Sequence, residues 1–365
     1  MIGQLGLGGT EKQIVLLARG LRERGVETTV LVMFHGGPGE EALREAGIPV
    51  VRLGFRNLKA RWWMPAANVG AFCRLVAYLR RMRPDVLHAF LFHSYVPAAP
   101  AARLAGVPVL VAGRRSLGEF AEGHRVFLMV ERFATRATDL LIANARAVAE
   151  NTRCREKVSP EKISVVYNGL PDSAFDPVEP TPIVTESPVV LCVANLKANK
   201  GHRFLLEGIA RLQQRGLMTT LVLVGHGPER PALEKLAGRL GVDVRFLGAR
   251  TDVQALLARA DAFVLPSLHE GMSNAVMEAM AAGRPVVATD VGGTGELLRG
   301  RGVLVPPADP GALADGLWRV LTDPEFAAGL AREARAWSRA HLAVGTMVDH
   351  HVRIYRELLE ARCAE

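Results

Sequence analysis

The chain has 365 residues, of which 49% are hydrophobic and 22% are charged, the composition of a water-soluble globular protein. This length predicts two domains of about 150 residues each. Lys and Arg number 45 against 37 Asp and Glu, so the formal charge of +8 indicates an anionic partner: nucleic acid, a phosphate-bearing substrate or an acidic membrane surface. The four cysteines lie far apart without a C-x-x-C pair, which argues against a disulfide framework or zinc ribbon and favours a reducing cytoplasm.

Neither a membrane span nor a signal peptide is predicted. The most apolar stretch, 95–113, contains Arg103 and three prolines. It therefore falls short of the roughly 20 uninterrupted apolar residues that cross a bilayer. The first residues, MIGQLGLGG, lack the charged start and long apolar core of a signal peptide.

Short runs rich in Val, Leu and Ile alternate with segments of helical period, the pattern of a parallel sheet covered by helices on both faces. The first series of predicted strands comprises TTVLVMF from Thr28, PVVRL from Pro49, DVLHAFLF from Asp85, VPVLVAG from Val107, DLLIAN from Asp139 and KISVVYN from Lys162. The segment 171–188, with five prolines, interrupts the pattern. The second series comprises VVLCVAN from Val189, TTLVLVG from Thr219, VDVRFLG from Val242, ADAFVLPS from Ala260, RPVVATD from Arg284 and GVLVPP from Gly302.

This alternation predicts two doubly wound, Rossmann-like α/β domains. The predicted boundaries are an N-terminal domain at 1–175, a Pro-rich linker at 176–188, a C-terminal domain at 189–345, and a last helix at 346–365 that packs back towards the N-terminal domain. Ligands of such sheets bind beyond the carboxyl ends of the strands, so we expect a central cleft between the domains. Residues 1–175 carry a net charge of +9 and the remainder −1, so the basic excess belongs to the first domain.

The segment 266–293, PSLHEGMSNAVMEAMAAGRPVVATDVGG, combines a helix start with two carboxylates. A strand is predicted to end at Ser267, and a helix capped by Ser273 follows. The backbone N–H groups at that helix start suit a phosphate. Glu270 and Glu278 flank them, and we expect these carboxylates to accept hydrogen bonds from neutral hydroxyls, because they would repel the phosphate itself. A ligand with two sugars joined by a diphosphate fits this pattern.

Glu270 and Glu278 have the E-x7-E spacing of retaining glycosyltransferases of the GT-B fold, and the flanking PSLHEG and MEAMAAGRPVVATDVGG resemble family 4 of that class. The resemblance implies that Glu278 holds the ribose of a donor nucleotide. It also implies that Glu270 and the backbone that follows hold the transferred sugar and its phosphates. The residues of that backbone are Gly271, Met272, Ser273 and Asn274.

A second match to the family is VANLKANKGHRFLLEGIA, from Val193. The family places a Lys directly before the Gly that precedes the helix, where it neutralises the donor diphosphate. Lys200 occupies that position, so the resemblance implies a catalytic role for Lys200 together with Glu270. The family commonly has an Arg five residues earlier, and this sequence has Asn195 there. Either Lys197 supplies a second positive charge or the diphosphate relies more on backbone N–H groups.

Weaker matches extend the resemblance over nearly the whole chain. GLGGTEKQ resembles the family's glycine-rich loop before the first helix, where Gly8 and Gly9 allow a donor to approach the backbone closely. Because only Met1–Leu5 precede that loop, we expect that part of the first strand is missing. The loops VGHGPERPALE and FLGARTDVQALLARADAFVLPS also resemble the family. The residues that the resemblance places in the nucleotide pocket are Gly225, Gly248 and Arg250.

The acceptor side departs from the family. Where the family often has a His after the fourth or fifth strand, VLVAGRRSLGEF contains Arg114 and Arg115, which can pair with a phosphate or carboxylate. His88 is a further acceptor-side candidate, although a hydrogen-bonded core histidine is the commoner role for such a residue. The sequence contains no metal-ligand spacing, Ser-His-Asp set or H-E-x-x-H motif, so neither a metal nor another cofactor is expected.

The segment 55–85 mixes Arg and Lys with Trp62, Trp63 and Phe72. A basic, aromatic, amphipathic surface of this kind contacts anionic membranes. The alternative is a helix packed on the core with a solvated basic face. Nucleic-acid binding is not expected, because no recognised nucleic-acid motif accompanies the charge.

The resemblance implies a retaining glycosyltransferase that moves a sugar from a UDP- or GDP-sugar to an acceptor hydroxyl. It implies a role in polysaccharide, lipopolysaccharide or glycolipid synthesis. The acceptor is unknown, and a lipid-linked acceptor at the inner face of the cell membrane would account for the basic first domain. Two alternatives remain open at this point: a catalytically weak sugar-nucleotide-binding scaffold and a GT-B sugar-nucleotide epimerase.

Overall fold

The structure is a computed structural model. It describes residues 1–6, 8–56, 65–117 and 125–364. Within these ranges the strands are β1 (Val30–Val32), β2 (Val50–Arg52), β3 (Val86–Phe90), β4 (Val109–Arg114), β5 (Leu140–Ala143), β6 (Ile163–Val165), β7 (Val189–Val193), β8 (Thr220–Val224), β9 (Val244–Gly248), β10 (Ala262–Leu265), β11 (Val286–Thr289) and β12 (Val303–Val305). Each of them overlaps one of the segments that the sequence predicts as a strand.

Helices alternate with these strands. In the described ranges they are α1 (Gly9–Glu23), α2 (Pro38–Glu45), α3 (Pro65–Met82), α4 (Phe92–Ala105), α5 (Arg125–Ala137), α6 (Arg146–Glu156), α7 (His202–Gln214), α8 (Arg230–Leu240), α9 (Val253–Arg259), α10 (Asn274–Ala281), α11 (Thr294–Leu298), α12 (Pro310–Thr322), α13 (Pro324–His341) and α14 (Val344–Ala364). The alternation of parallel strands and helices confirms the predicted α/β class.

The chain divides into two compact units. Unit 1 comprises 1–169 together with 344–365, and unit 2 comprises 170–343. The first boundary between the units therefore lies after Gly169 rather than after residue 175, and α14 belongs to unit 1. The Pro-rich segment 176–188 contains no helix or strand and lies in unit 2.

Unit 1 is a doubly wound parallel domain. Strand β1 pairs with β2, and a second sheet has the order β3-β4-β5-β6. Two residues at the start of the chain join them, because Ile2 bridges Val32 of β1 and the Met1 carbonyl accepts the Phe90 N–H of β3 at 2.9 Å. The sheet therefore runs from β2 through β1, the Met1 and Ile2 backbone, and β3 to β6.

Apolar periodicity explains the helices that cover the sheet of unit 1. In α1, Ile14, Leu17, Ala18 and Leu21 recur at helical spacing and are buried. They share one core with apolar side chains of α14, whereas α3, α4 and α5 pack over the other face of the sheet. The contact between α1 and α14 is close, since a Cβ at Gly20 would lie 2.4 Å from a methyl group of Val348.

Unit 2 has a single six-stranded parallel sheet with the order β12-β11-β10-β7-β8-β9. Its central strands are continuous apolar runs with both faces buried, as in sheets covered by helices on each side. The chain builds the sheet outward from β7 to β9, returns to the centre, and builds outward again from β10 to β12. The order reverses between β7 and β10, which is where doubly wound folds bind ligands.

A buried ion pair stabilises the packing of α6 on the sheet of unit 1. Arg114, at the end of β4, donates from Nε and Nη2 to the two carboxylate oxygens of Glu156 at 3.0 and 2.9 Å. The same guanidinium donates to Thr135 at 2.8 Å and lies 3.8 Å from the centre of the Tyr95 ring. The Arg114 and Glu156 side chains are 6% and 2% exposed, so each charge depends on the other for compensation.

Glu156→Gln removes the anion of this pair and leaves the Arg114 guanidinium buried without compensation. We expect the free energy of unfolding to fall by about 3–5 kcal/mol, measured by urea denaturation. Glu150→Gln is a matched control on the same helix, because Glu150 pairs with Arg153 at the exposed surface. It should leave the unfolding midpoint nearly unchanged. Equal losses in the two variants would contradict the assignment of a buried pair.

Candidate active site

The loops that leave β7 and β10 lie side by side at the carboxyl edge of the unit 2 sheet. The two strands are neighbours, but the chain continues from β7 towards β8 and from β10 towards β11, in opposite directions. Loops that diverge in this way leave a crevice at the edge of the sheet. Lys200 follows β7 and Glu270 follows β10, so the topology alone brings these two predicted residues to the crevice.

Lys200 and Glu270 form an ion pair. The Lys200 Nζ lies 2.5 Å from Oε1 of Glu270, and the two side chains are 21% and 10% exposed. The Ser267 hydroxyl donates to the same carboxylate oxygen at 2.7 Å. No role for Ser267 was predicted, although it lies in the motif PSLHEG three residues before the glutamate. The carboxylate of Glu270 is therefore held from two sides.

Backbone contacts fix the loop that carries Glu270. Gly201 has a φ of +65°, and a Cβ there would lie 2.1 Å from the Pro266 carbonyl oxygen. Gly292 has a φ of +52°, and a Cβ there would lie 1.8 Å from the Glu270 carbonyl oxygen. The Gly293 N–H donates to the Gly271 carbonyl at 2.7 Å. The loops after β7, β10 and β11 thus pack backbone against backbone, which only glycine permits at these two positions.

Helix α10 begins at the crevice. Ser273 is its N-cap, as predicted, and its hydroxyl accepts the Val276 N–H at 3.3 Å. Gly271, Met272 and Ser273 are buried, and Glu278 is half-buried inside the helix. The E-x7-E spacing therefore sets one carboxylate before the helix start and one after it. The positive end of the helix dipole and the Lys200 ammonium lie in the same part of unit 2.

The other predicted donor residues of unit 2 lie along the same carboxyl edge. Asn195 follows β7 and is exposed. The Gly225 N–H after β8 donates to the Gly248 carbonyl of β9 at 2.7 Å, so these two loops are joined. Arg250 pairs with both carboxylate oxygens of Asp252, at 2.8 and 2.6 Å. This guanidinium holds the pKa of Asp252 well below its ordinary value.

The groups beneath the ion pair are uncharged at neutral pH. Burial, and then the Lys200 charge, lowers the pKa of His202 to about 4. Burial raises the pKa of the Cys192 thiol to about 12. Neither group therefore adds a charge beside the Lys200–Glu270 pair at neutral pH. Within the described part of the chain, no three His, Cys, Asp or Glu side chains are grouped as a metal site.

The remaining predicted residues belong to unit 1. Gly8 and Gly9 begin α1, where a Cβ at Gly8 would lie 2.2 Å from a carboxylate oxygen of Glu11. Arg114 belongs to the buried pair described above, so its charge is already compensated. The other two acceptor-side candidates are His88, in the middle of β3, and Arg115, directly after β4.

Two Rossmann-like units, with a lysine and an E-x7-E pair at the switch point of the second, define the GT-B class of glycosyltransferases. Residues 187–323 match the sequence profile of the family described as "Glycosyl transferases group 1", and residues 7–173 match "Glycosyltransferase Family 4". The chain belongs to glycosyltransferase family 4. It is an enzyme, a retaining glycosyltransferase that takes its sugar from a nucleotide-sugar donor.

Similar proteins align with almost the full length of the chain. Glycogen synthase of Mycobacterium tuberculosis is 35% identical over 363 residues, which cover 90% of this chain and 86% of that protein. The lipopolysaccharide core biosynthesis glycosyltransferase LpsE of Rhizobium meliloti is 29% identical over 337 residues, or 89% and 88% of the two chains. The crystal structure of Anabaena Alr3699/HepE in complex with UDP-glucose has a TM-score of 0.83 at 25% identity and covers 99% of this chain and 98% of its own.

Gly292→Ala tests the packing of the Glu270 loop. We expect it to lower both the unfolding free energy and the affinity for UDP, because the added Cβ displaces the Glu270 carbonyl. Gly300→Ala is the matched control, since Gly300 has a φ of +77° and open space around a Cβ. The control should lose only the roughly 1–2 kcal/mol of left-handed backbone strain and keep its UDP affinity. Urea denaturation and calorimetric titration with UDP measure the two effects, and equal UDP affinities would refute the expected displacement.

Proposed function

We propose that unit 2 binds a UDP- or GDP-sugar at the crevice between the β7 and β10 loops, and that the enzyme transfers the sugar to a hydroxyl of a polysaccharide, lipopolysaccharide or glycolipid precursor. The observation that carries the proposal is the ion pair of Lys200 and Glu270 beside the start of α10. The names of the glycogen synthase and LpsE relatives, and the UDP-glucose bound to HepE, support this class of donor and product.

The ion pair suggests how donor binding works. The Lys200 charge is balanced by Glu270. A diphosphate at the start of α10 supplies a second anion to Lys200, which weakens the hold of the ammonium on Glu270. The carboxylate then accepts hydrogen bonds from hydroxyls of the transferred sugar, while Ser267 keeps it oriented. Glu278, one helix turn further, is proposed to hold the ribose.

Catalysis in this proposal is electrostatic. The bond between the sugar C1 and the diphosphate oxygen breaks, the bond between C1 and the acceptor oxygen forms on the same face, and the acceptor proton passes to the departing diphosphate. No protein nucleophile and no metal ion is required. Lys200 and the backbone N–H groups at the start of α10 stabilise the charge that develops on the diphosphate, and such preorganised groups are commonly the largest single contribution to catalysis.

Lys200→Ala is expected to lower turnover of UDP-glucose by about 100-fold or more, because it removes the cation that stabilises the leaving group. Glu278→Ala should likewise abolish transfer, through the loss of ribose binding. Lys235→Ala is the control, since Lys235 is an exposed lysine on α8 of the same unit. Release of UDP, with and without candidate acceptors, measures the effect. Full activity of Lys200→Ala would rule out this site.

We further propose that unit 1 contacts an anionic membrane, through a different segment from the one that the sequence indicated. Trp62 and Trp63 lie outside the described residues. Phe72, on α3, packs against the core of unit 1 together with the buried Leu75 and Leu79. The described part of that segment therefore fits the alternative, a helix packed on the core with a solvated basic face.

Helix α5 instead carries an exposed apolar stripe. Val126, Met129 and Phe133 are 50%, 65% and 66% exposed, and their spacing sets them on one face of the helix. Arg136 is exposed on the last turn. An apolar stripe with basic neighbours on a domain of positive charge fits the surface of an anionic bilayer. No helix among the described residues is long and apolar enough to span a bilayer.

The double variant Met129→Ser/Phe133→Ser should bind vesicles of phosphatidylglycerol and phosphatidylcholine about tenfold or more weakly, because two apolar side chains no longer enter the interface. Binding by the unaltered protein should also fall at high salt. Met218→Ser, at a methionine of unit 2 that is 51% exposed, is the control and should bind normally. Co-sedimentation measures the affinity, and the same loss in both variants, or in neither, would disprove the assignment to α5.

A further inference from the structure

Several enclosed polar side chains from β3, from the residue after β4 and from α14 lie close together. Nε of Arg115, Nε2 of His88 and Nε2 of His351 are buried and have no hydrogen-bond partner among the residues that the structure describes. The large majority of buried side-chain polar atoms in proteins are paired with protein or with ordered water. Three unpaired atoms in one cluster therefore indicate a ligand or water that completes it.

Arg115 differs from its neighbour Arg114 in lacking a carboxylate partner. Its Nη1 donates to the amide oxygen of Asn168 at 2.5 Å, and its guanidinium carbon lies 5.2 Å from the centre of the Phe90 ring. No described carboxylate lies within ion-pair distance of it, whereas Arg114 is paired with Glu156. Burial lowers the pKa of Arg115 to about 10, so the side chain stays cationic at neutral pH. A mostly enclosed guanidinium thus keeps an uncompensated positive charge.

The two histidines of the cluster add no charge at neutral pH. Burial, followed by the charges of His351, the Met1 ammonium and Arg115, holds the pKa of His88 well below its ordinary value, and burial lowers the pKa of His351 to about 4. Nδ1 of His88 lies 2.7 Å from the Tyr355 hydroxyl. When that hydroxyl donates to Nδ1, the unpaired Nε2 of His88 carries a hydrogen. The ring centres of His88 and Phe90 are 3.9 Å apart, so this donor lies beside the ring over which Arg115 is placed.

We propose that Arg115 and His88 form a subsite of unit 1 that binds an oxyanion, a phosphate or a carboxylate group. A charged guanidinium with an unpaired N–H and a neutral imidazole with an unpaired N–H are complementary to such a group. The identity of its carrier rests on the proposed function: the group belongs either to the acceptor or to the donor diphosphate. Both sources share the oxyanion chemistry.

Inorganic phosphate is the first probe, added to the full-length protein at constant ionic strength. We expect phosphate to raise the thermal midpoint of the unaltered protein, and Arg115→Gln to weaken phosphate binding by at least tenfold in calorimetric titration. Arg136→Gln makes the same change of charge at an exposed arginine of unit 1 and should keep the response. Arg115→Lys keeps the charge without the planar fork and should retain part of it. Equal responses in Arg115→Gln and the unaltered protein, or no response in either, would overturn the subsite.

Stability without phosphate separates a binding role from a structural one. Because the Arg115 charge is uncompensated, Arg115→Gln should unfold at the same urea concentration as the unaltered protein or a higher one. A variant that is clearly less stable would instead show that Arg115 is structural.

Titration with UDP distinguishes the sources of the oxyanion. Unchanged UDP affinity in Arg115→Gln, together with a raised KM for the acceptor alone, assigns the group to the acceptor, whereas weakened UDP binding assigns it to the donor diphosphate. A phosphate response that depends on Arg115 but persists in Lys200→Ala would support the subsite even if the proposed transfer reaction failed.

Discussion

The ion pair between Lys200 and Glu270 depends on the order in which the chain builds the sheet of unit 2. The two residues lie 70 positions apart, and they meet because β7 and β10 are adjacent strands whose loops leave in opposite directions. Each side chain is largely removed from water, so each charge offsets part of the desolvation cost of the other. The pair is therefore compensated within unit 2, beside the start of α10 where the donor is proposed to bind. Charged groups that the fold holds in place in this way are the kind of preorganised arrangement that lowers activation barriers.

In unit 1, two arginines that are adjacent in sequence differ in whether a carboxylate compensates their charge. Arg114 ends β4 and Arg115 follows it directly, yet the two side chains enter different surroundings. Arg114 meets Glu156 and becomes part of the core. Arg115 meets Asn168 and aromatic rings. A buried cation without an anion lowers stability, and proteins commonly retain such costs at functional sites.

Local patterns predicted much of this molecule. The segments of β7, β8 and β10 are short continuous apolar runs, as expected of strands buried on both faces, and the cap at Ser273 follows from local chemistry alone. Contacts between distant segments were beyond such patterns: the pairing of Arg114 with Glu156 joins residues 42 positions apart, and the contact of Ser267 with Glu270 depends on the loop conformation.

Helix α5 shows that hydrophobic periodicity does not always predict which face of a helix is buried. Its period distinguishes two faces, and sequence alone suggests that the apolar face is covered. In the structure the polar Glu131 and Thr135 are buried, while Met129 and Phe133 are exposed. The polar residues face inward because Glu131 accepts hydrogen bonds from Tyr95 and Arg155, which no periodicity can reveal.

The chain leaves unit 1 after Gly169 and returns to it at Val344, so unit 2 is a continuous insertion in unit 1. The two ends of this insertion are neighbours, because the Leu170 N–H donates to the Leu342 carbonyl at 2.6 Å. Synthesis on the ribosome therefore completes unit 2 before unit 1. Until α14 emerges, the α1 residues that pack with Met347, Val348 and Val352 lack part of their core. The first half of the chain to be made is thus the last to finish folding, and its apolar surface must stay protected while the inserted unit is translated and folds.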